Sequence, residues 1–229
     1  MKVSIAIPCW AMGGEGKNVL NHSFKILKTQ SLKDFEVVVT DHSEDYGIKH
    51  VCDSFSKDFK IKYIRNEMQR GNPSNNTNLG LMNCGGEYIK LLCVDDYLLD
   101  ETSLEHCYND LKSSGNVWGF NSYFHTSDYV NLDRRHIPSF NNNIEMINTL
   151  GTPSALIIKN GLEIYMDETL KFYYDCEFYK RVYLKYGLPN ISQNDTMVNY
   201  IHPNSTTNTI ANNSLRNFEE NYIRGIHKC

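Results

Sequence analysis

Gly86-Glu87-Tyr88-Ile89-Lys90-Leu91-Leu92-Cys93-Val94-Asp95-Asp96 is the stretch whose reading decides the fold. A glycine turn leads into an apolar run, and the run ends on two adjacent carboxylates. Buried strands carry apolar side chains, so an acidic pair at the end of one belongs at a rim, where a cleft can open. In open α/β sheets, ligands bind beyond the carboxyl ends of the strands. Two clustered carboxylates repel each other and call for a cation. A hard divalent ion with oxygen ligands is the usual one, and such an ion can grip a diphosphate. The plainer alternative is that Asp95 and Asp96 start a solvated loop, so the surroundings of the pair carry the decision.

Upstream, Val3 to Ile7 alternate and are rich in β-branched residues, which predicts a first strand stopped by Pro8. Gly13, Gly14 and Gly16 lack the spacing of a dinucleotide fingerprint and predict a flexible lid or turn, with a phosphate cradle as the alternative. Leu20, Phe24 and Leu27 fall at i, i+4 and i+7, a helix with one buried stripe. Glu36 to Thr40 reads as a second strand running into Asp41-His42-Ser43, and Ile61 to Ile64 as a third, after a polar helix-like segment. A helix through Asn78 to Cys84 stops at Gly85-Gly86, and the strand ending at Asp95-Asp96 follows. Strands alternating with helices argue for a parallel, doubly wound sheet.

Downstream the pattern is less regular. Leu104, Cys107 or Tyr108, and Leu111 predict a helix; Val117 to Phe120 predict a strand, with Trp118 in the core. Residues 121 to 143, with Arg134-Arg135-His136 in the middle, read as a long loop or irregular hairpin that is either solvated or an anion-binding acceptor surface. Pro153 to Lys159 read as a buried strand. Asp175 to Tyr186 read as a helix closed by Gly187-Leu188-Pro189, and Asn212 to Cys229 as a short terminal helix.

Composition narrows the function. The 229 residues, 41% hydrophobic, suit one sizeable domain or two fused halves. A net charge of −4 gives no basic footprint for nucleic acid. No stretch reaches the ~18–20 apolar residues of a membrane span, and the opening apolar run is too short for a secretion signal. The seven cysteines are odd in number with no Cys-x-x-Cys pair, and read as reduced thiols of a cytoplasmic protein.

Five segments in order resemble the GT-A fold of family 2 glycosyltransferases. They are Val3 to Pro8; Asp34 to Ser43, a strand ending in Asp and Ser; Asn78-Leu79-Gly80 through Gly86-Glu87-Tyr88 to Asp95-Asp96; Tyr174-Asp175-Cys176-Glu177-Phe178 with Arg181; and, more weakly, Tyr200-Ile201-His202-Pro203-Asn204-Ser205. The resemblance implies an α/β protein with a Rossmann-like, mostly parallel central sheet flanked by helices. It implies one domain over residues 1–206, a nucleotide half in 1–100 and an acceptor half in 101–206, with a helical tail at 207–229.

The implied activity is inverting transfer of a hexosyl group from a nucleotide-diphosphate sugar, a UDP-sugar foremost, to a hydroxyl of a glycan or lipid-linked acceptor. Matched residue by residue, Pro8, Asp41, Ser43, Asn78 and Asp95 would contact the nucleotide. Asp96 and His202 would hold Mn2+ or Mg2+, and Asp175 would be the general base, with Glu177 the fallback. Asp175 and Glu177 stand at i and i+2, so only one of them should face the cleft. Two positions depart from the family pattern. Cys93 stands where an Asp-x-Asp motif has its first acid; a thiol suits hard ions poorly, which assigns Cys93 to packing. Thr77 stands where many members carry arginine. These departures motivate the rival reading of a non-catalytic nucleotide- or glycan-binding module with a degenerate metal site. A sugar-phosphate nucleotidyltransferase ranks lower, because the loop after the first strand lacks basic residues until Lys17.

Overall fold

The computed structural model describes residues 1–203, 205 and 212–227. Asn204 of the fifth motif, residue 206 at the expected domain boundary, and residues 207–211 and 228–229 of the tail lie outside the described residues. Nine strands among the described residues form one sheet that runs through both halves of the chain. Its first half is parallel, in the order β3 (Lys60–Arg65), β2 (Phe35–Asp41), β1 (Val3–Cys9), β4 (Tyr88–Leu91). Helices α1 (Gly16–Thr29), α2 (Gly47–Phe55) and α3 (Pro73–Met82) make the crossovers. The second half is mixed. After β5 (Tyr97–Leu98) and α4 (Ser103–Ser114), β6 (Trp118–Thr126) pairs antiparallel with β8 (Leu156–Lys159) and with the short β7 (Arg135–His136). β8 joins the halves by pairing antiparallel with β4. After α5 (Tyr174–Tyr186), β9 (Asn190–Tyr200) pairs parallel with β6 and antiparallel with β5, and α6 (Asn213–Ile226) ends the described chain.

Alternation along the strands feeds two cores, one on each face of the sheet. Val3, Ile5, Ile7, Val37 and Val39 pack with Leu20, Phe24, Leu27 and Leu104 of the helices. On the other face Ala6 and Leu91 meet Trp118, Phe120, Phe178, Tyr179 and Val182. Trp118 is fully buried, as its strand context implied, and its indole N–H donates to the Gly187 carbonyl at 2.9 Å.

Several boundaries differ from the sequence expectation. β1 continues through Pro8 to Cys9. Ala6 O accepts from Leu92 and Cys9 O from His42, so by alternation the missing Pro8 N–H faces the β4 side, where pairing has already ended at Ala6 and Leu91. α3 starts five residues early, because Asn72 caps it by accepting from Asn75 N–H and Pro73 sits in its first turn. It stops at Met82, short of Gly85-Gly86. A Cβ on Gly86 would lie 2.6 Å from Ser4 N, so this glycine serves the close approach of the chain to β1.

β4 ends at Leu91, leaving residues 92–96 as a connection into β5 rather than strand. β6 takes in residues 121–126 of the expected loop, with a register shift at Asn121–Tyr123, and Pro153–Ala155 form a 3-10 turn before β8. β9 has no counterpart in the sequence reading.

Candidate active site

The carboxyl ends of β1 and β2, the residues after β4, the start of α5 and the end of β9 open onto one cavity of about 1090 Å³. Pro8, Ser43, Asp95, Asp96, Asp175 and His202, all singled out from sequence, line it together. Trp10, Arg70, Thr77, Cys93, Thr152, Phe172, Tyr174 and Asn199 also stand on its wall.

Asp96 is almost fully buried. Its Oδ1 accepts from Asn199 Nδ2 at 2.8 Å and from Tyr200 N–H at 3.1 Å, both on β9. Asp95 Oδ2 meets His202 Nε2 at 2.8 Å. Burial first, and then the charge of Asp95, push the Asp96 carboxyl up to about 7. Cys93 Sγ and one oxygen from each of Asp95 and Asp96 lie within 4.8 Å of one another. Cys93 is therefore on the wall of the site and not simply packing, although burial pushes its thiol well up. Beneath the pair, fully buried Lys90 donates to the Ser154 carbonyl, and Ser154 Oγ accepts from Cys93 N–H at 2.8 Å. The donor set suits a divalent cation. Two carboxylates are brought close, and burial together with the charge of Asp95 opposes ionisation of Asp96, a penalty that a bound cation would offset. His202 stands outside the three-residue group, with Nε2 turned to Asp95.

Across the cavity, Asp175 sits in the first turn of α5, 7% exposed. Oδ1 accepts from Cys176 N–H at 2.8 Å and Oδ2 from Asn148 Nδ2 at 3.1 Å. Burial outweighs these bonds and raises its carboxyl to about 6. Glu177 points away. It is fully buried, forks with Arg181 at 2.6 and 2.7 Å, and lies 3.2 Å from His227. As the i, i+2 spacing required, one acid of the two faces the cavity, and it is Asp175.

Two expected nucleotide contacts stand behind the wall. Asp41, fully buried at the end of β2, accepts from Ser43 N–H at 2.8 Å and Tyr63 Oη at 2.7 Å, so it shapes the turn that presents His42 and Ser43. Asn78 exchanges bonds of 2.8 and 2.9 Å with the Met166 backbone and reaches Glu168, tying α3 to the segment that leads to α5. The glycine loop forms a turn on the cavity wall at Gly13 and Gly14. A Cβ on Gly16 would fall 2.3 Å from the Trp10 carbonyl. Arg134-Arg135-His136 lies off the wall; Arg135 pairs with Asp195 at 2.7 Å and His136 rests on the Tyr123 ring.

The sequence does not single out Asn199 or Asn148, and it shows Tyr200 only as the start of the fifth motif, without its backbone bond to Asp96. Asn199 and Tyr200 arrive on β9, which has almost no hydrophobic alternation, and Asn148 sits in an irregular segment. For Asn199 and Tyr200 the available signal was nearness in sequence to His202; Asn148 had none.

A parallel half-sheet leading to paired carboxylates, with a third acid across the same cavity, is the arrangement of a GT-A fold. The family model described as Glycosyl transferase family 2 matches residues 4–158, well over half the chain, and the protein belongs to that family. It is 31% identical over 99 residues to the GalNAc(5)-diNAcBac-PP-undecaprenol beta-1,3-glucosyltransferase of Campylobacter jejuni, covering 43% of this chain and 31% of that one. It is 26% identical over 136 residues to glycosyltransferase GlyA of Streptococcus pneumoniae, covering 54% and 18%. The chain thus spans under a third of the length of either relative.

Among solved structures, S. aureus TarS 1-349 in complex with UDP superposes with a TM-score of 0.71 at 20% identity, covering 89% of this chain and 61% of that one. The mannosyltransferase PcManGT from Pyrobaculum calidifontis, in complex with GDP-Man and Mn2+, gives 0.63 at 13% identity, covering 88% and 57%. At those identities the likeness is one of fold. No described helix is long and apolar enough to cross a membrane.

Proposed function

We propose that this chain is a metal-dependent, inverting glycosyltransferase that moves a hexosyl group from a nucleoside diphosphate sugar, a UDP-sugar foremost, to a hydroxyl of a glycan or lipid-linked acceptor. The observation that carries the reading is the opening of Asp95, Asp96 and Asp175 onto one cavity large enough for a nucleotide sugar. The UDP in the TarS complex and the undecaprenol named in the Campylobacter relative support the donor and acceptor classes.

In this reading Pro8 and Ser43 face the nucleotide, with Asp41 fixing the Ser43 turn from below. Asn78 holds the Met166–Glu168 segment beside α3. Asp95 and Asp96 would hold Mn2+ or Mg2+, His202 orienting Asp95 through its Nε2 contact, and the ion when bound would supply Lewis-acid neutralisation of diphosphate charge. Asp175 accepts the acceptor hydroxyl's proton while that oxygen bonds to the anomeric carbon. The bond to the diphosphate breaks on the opposite face, so the configuration inverts. A carboxyl raised to about 6 is a stronger base than an exposed one and is still ionised at neutral pH. Such a positioned base contributes ~10²–10⁴ in rate.

The test is transfer from UDP-sugars to a glycan panel, with NMR of the product's anomeric centre. Inverted product from the wild type, and none from Asp175→Asn that still binds UDP, would support the reading. Retained configuration, or wild-type turnover in Asp175→Asn, would refute the role of Asp175. UDP binding without any transfer would favour the binding-module reading.

A further inference from the structure

The terminal helix α6 contributes nothing to the described cavity wall, yet its buried face grips one short segment, the approach to Asp175. Arg216, Glu219, Glu220, Ile223 and His227 recur at helical spacing on one side of α6. The Arg216 guanidinium lies 4.5 Å from the Phe172 ring centroid. Glu220 accepts from Tyr173 Oη at 2.9 Å, and His227 lies 3.2 Å from Glu177. From the next position round the helix, Tyr222 Oη donates to Asp167 at 2.8 Å.

Glu219 is the centre of this grip. It is fully buried and both of its oxygens accept backbone N–H bonds. Oε1 accepts from Lys171 at 2.7 Å and Phe172 at 3.3 Å; Oε2 accepts from Phe172 at 3.0 Å and Tyr173 at 2.9 Å. Those three amides lead into the first turn of α5, and α5 has no side-chain cap of its own, because Tyr173 occupies the cap position. One of these amides belongs to the cap residue Tyr173 and two lie just before it, and an anion placed there satisfies them and lies at the positive end of the helix dipole. Here that anion comes from a helix residue 46 to 48 positions further along the chain. Phe172, Tyr174 and Asp175, immediately after or within the gripped segment, stand on the cavity wall.

Building on the reading of Asp175 as the base, we infer that Glu219 is a positioning residue for it: by fixing the amides of Lys171, Phe172 and Tyr173, the Glu219 carboxylate sets where the first turn of α5 enters the cavity. Through Glu219 alone, α6 then acts on the acceptor side and not on the nucleotide side. The donor contacts, on β1, β2 and the residues after β4, do not depend on it.

The test compares the wild type with Glu219→Gln, which keeps the shape but turns one acceptor into a donor facing N–H groups, and with Tyr222→Phe, which removes an α6 contact to the same segment and leaves both acceptors. Glu219→Gln should lower kcat about 10- to 100-fold, the scale of a misplacement of about 1 Å at a reacting centre. UDP affinity and donor KM should stay at wild-type values, and hydrogen exchange at the amides of residues 171–173 should speed up. Tyr222→Phe should leave kcat unchanged.

A folded Glu219→Gln protein with wild-type kcat would overturn the inference, as would equal losses in the two variants. If Glu219→Gln does not fold, exchange in the wild type decides: protected amides at 171–173 support the grip, and exchange as fast as in open loops overturns it. A wild type without transferase activity would refute the functional reading, while the exchange measurement would still test the grip.

Discussion

Replacing Asn148 by alanine should move the acidic limb of the pH–rate profile upward. Asp175 ionises at about 6 because burial opposes its charge, while Asn148 and the Cys176 amide partly offset that. The base must be ionised to act, so kcat rises with pH through about 6 and at pH 5 should be about a tenth of its plateau. A hydrogen bond to a charged acceptor contributes ~1.5–3 kcal/mol, and ~1.4 kcal/mol corresponds to one pH unit. Water can reach the edge of this cavity, so the lower end applies, and Asn148→Ala should shift the limb up by about one pH unit.

At pH 6 the variant would then turn over about fivefold slower than the wild type, and at pH 8.5 the two would converge. The assay is initial rate against pH at saturating donor, acceptor and Mn2+. Repeating it at two Mn2+ concentrations separates Asp175 from Asp96, because a bound cation favours the ionised form of Asp96. A limb that stays at the same pH in Asn148→Ala, or no limb between pH 5 and 8, would refute the reasoning.

Asp175→Asn should abolish transfer yet stabilise the fold at neutral pH. A carboxyl raised from 3.8 to about 6 keeps its proton in the native state while the unfolded chain loses it. Stability therefore falls as pH rises through that window and levels off above it, at a cost of about 3 kcal/mol; a variant melting no higher than the wild type at pH 7.5 would contradict this. His202→Ala should weaken the Mn2+-dependent part of UDP binding about 10- to 100-fold by freeing Asp95, measured by calorimetry, and unchanged binding would refute the role. Cys93→Asp, which adds a third hard oxygen donor to the group, should strengthen Mg2+ binding; unchanged Mg2+ affinity would place the residue outside the ion's reach.

What the sequence made legible is what periodicity and chain order encode. The valines before Asp41 and the stripe at Leu20, Phe24 and Leu27 fold as their patterns predict, and the run toward Asp95-Asp96 does so as far as Leu91, so these segments place the parallel half of the sheet. β9 was not legible, since Asn190 to Asp195 carry no apolar alternation and only Thr196, Met197 and Val198 are buried. Its strand character comes from pairing with β6, a tertiary effect. The start of α3 was hidden in an asparagine run whose helical state depends on the Asn72 cap. At the site, the residue types were readable but their orientation was not. Asp41 and Asn78 match the motif in sequence, and the structure turns both inward to hold the wall. Asn148 and Glu219 act on Asp175 across 27 and more than 40 residues, beyond the reach of any local motif.

If the acidic pair and the cavity form a cation-assisted nucleotide site, nucleotide affinity must depend on both the ion and Asp96. Calorimetric titration of UDP, GDP, dTDP and CDP, with and without Mn2+, into the wild type and into Asp96→Ala tests it most directly. One nucleotide, UDP foremost, should bind the wild type, Mn2+ should strengthen this binding, and Asp96→Ala should lose the strengthening. A folded wild type that binds none of the four, or whose binding ignores both Mn2+ and Asp96, would contradict it.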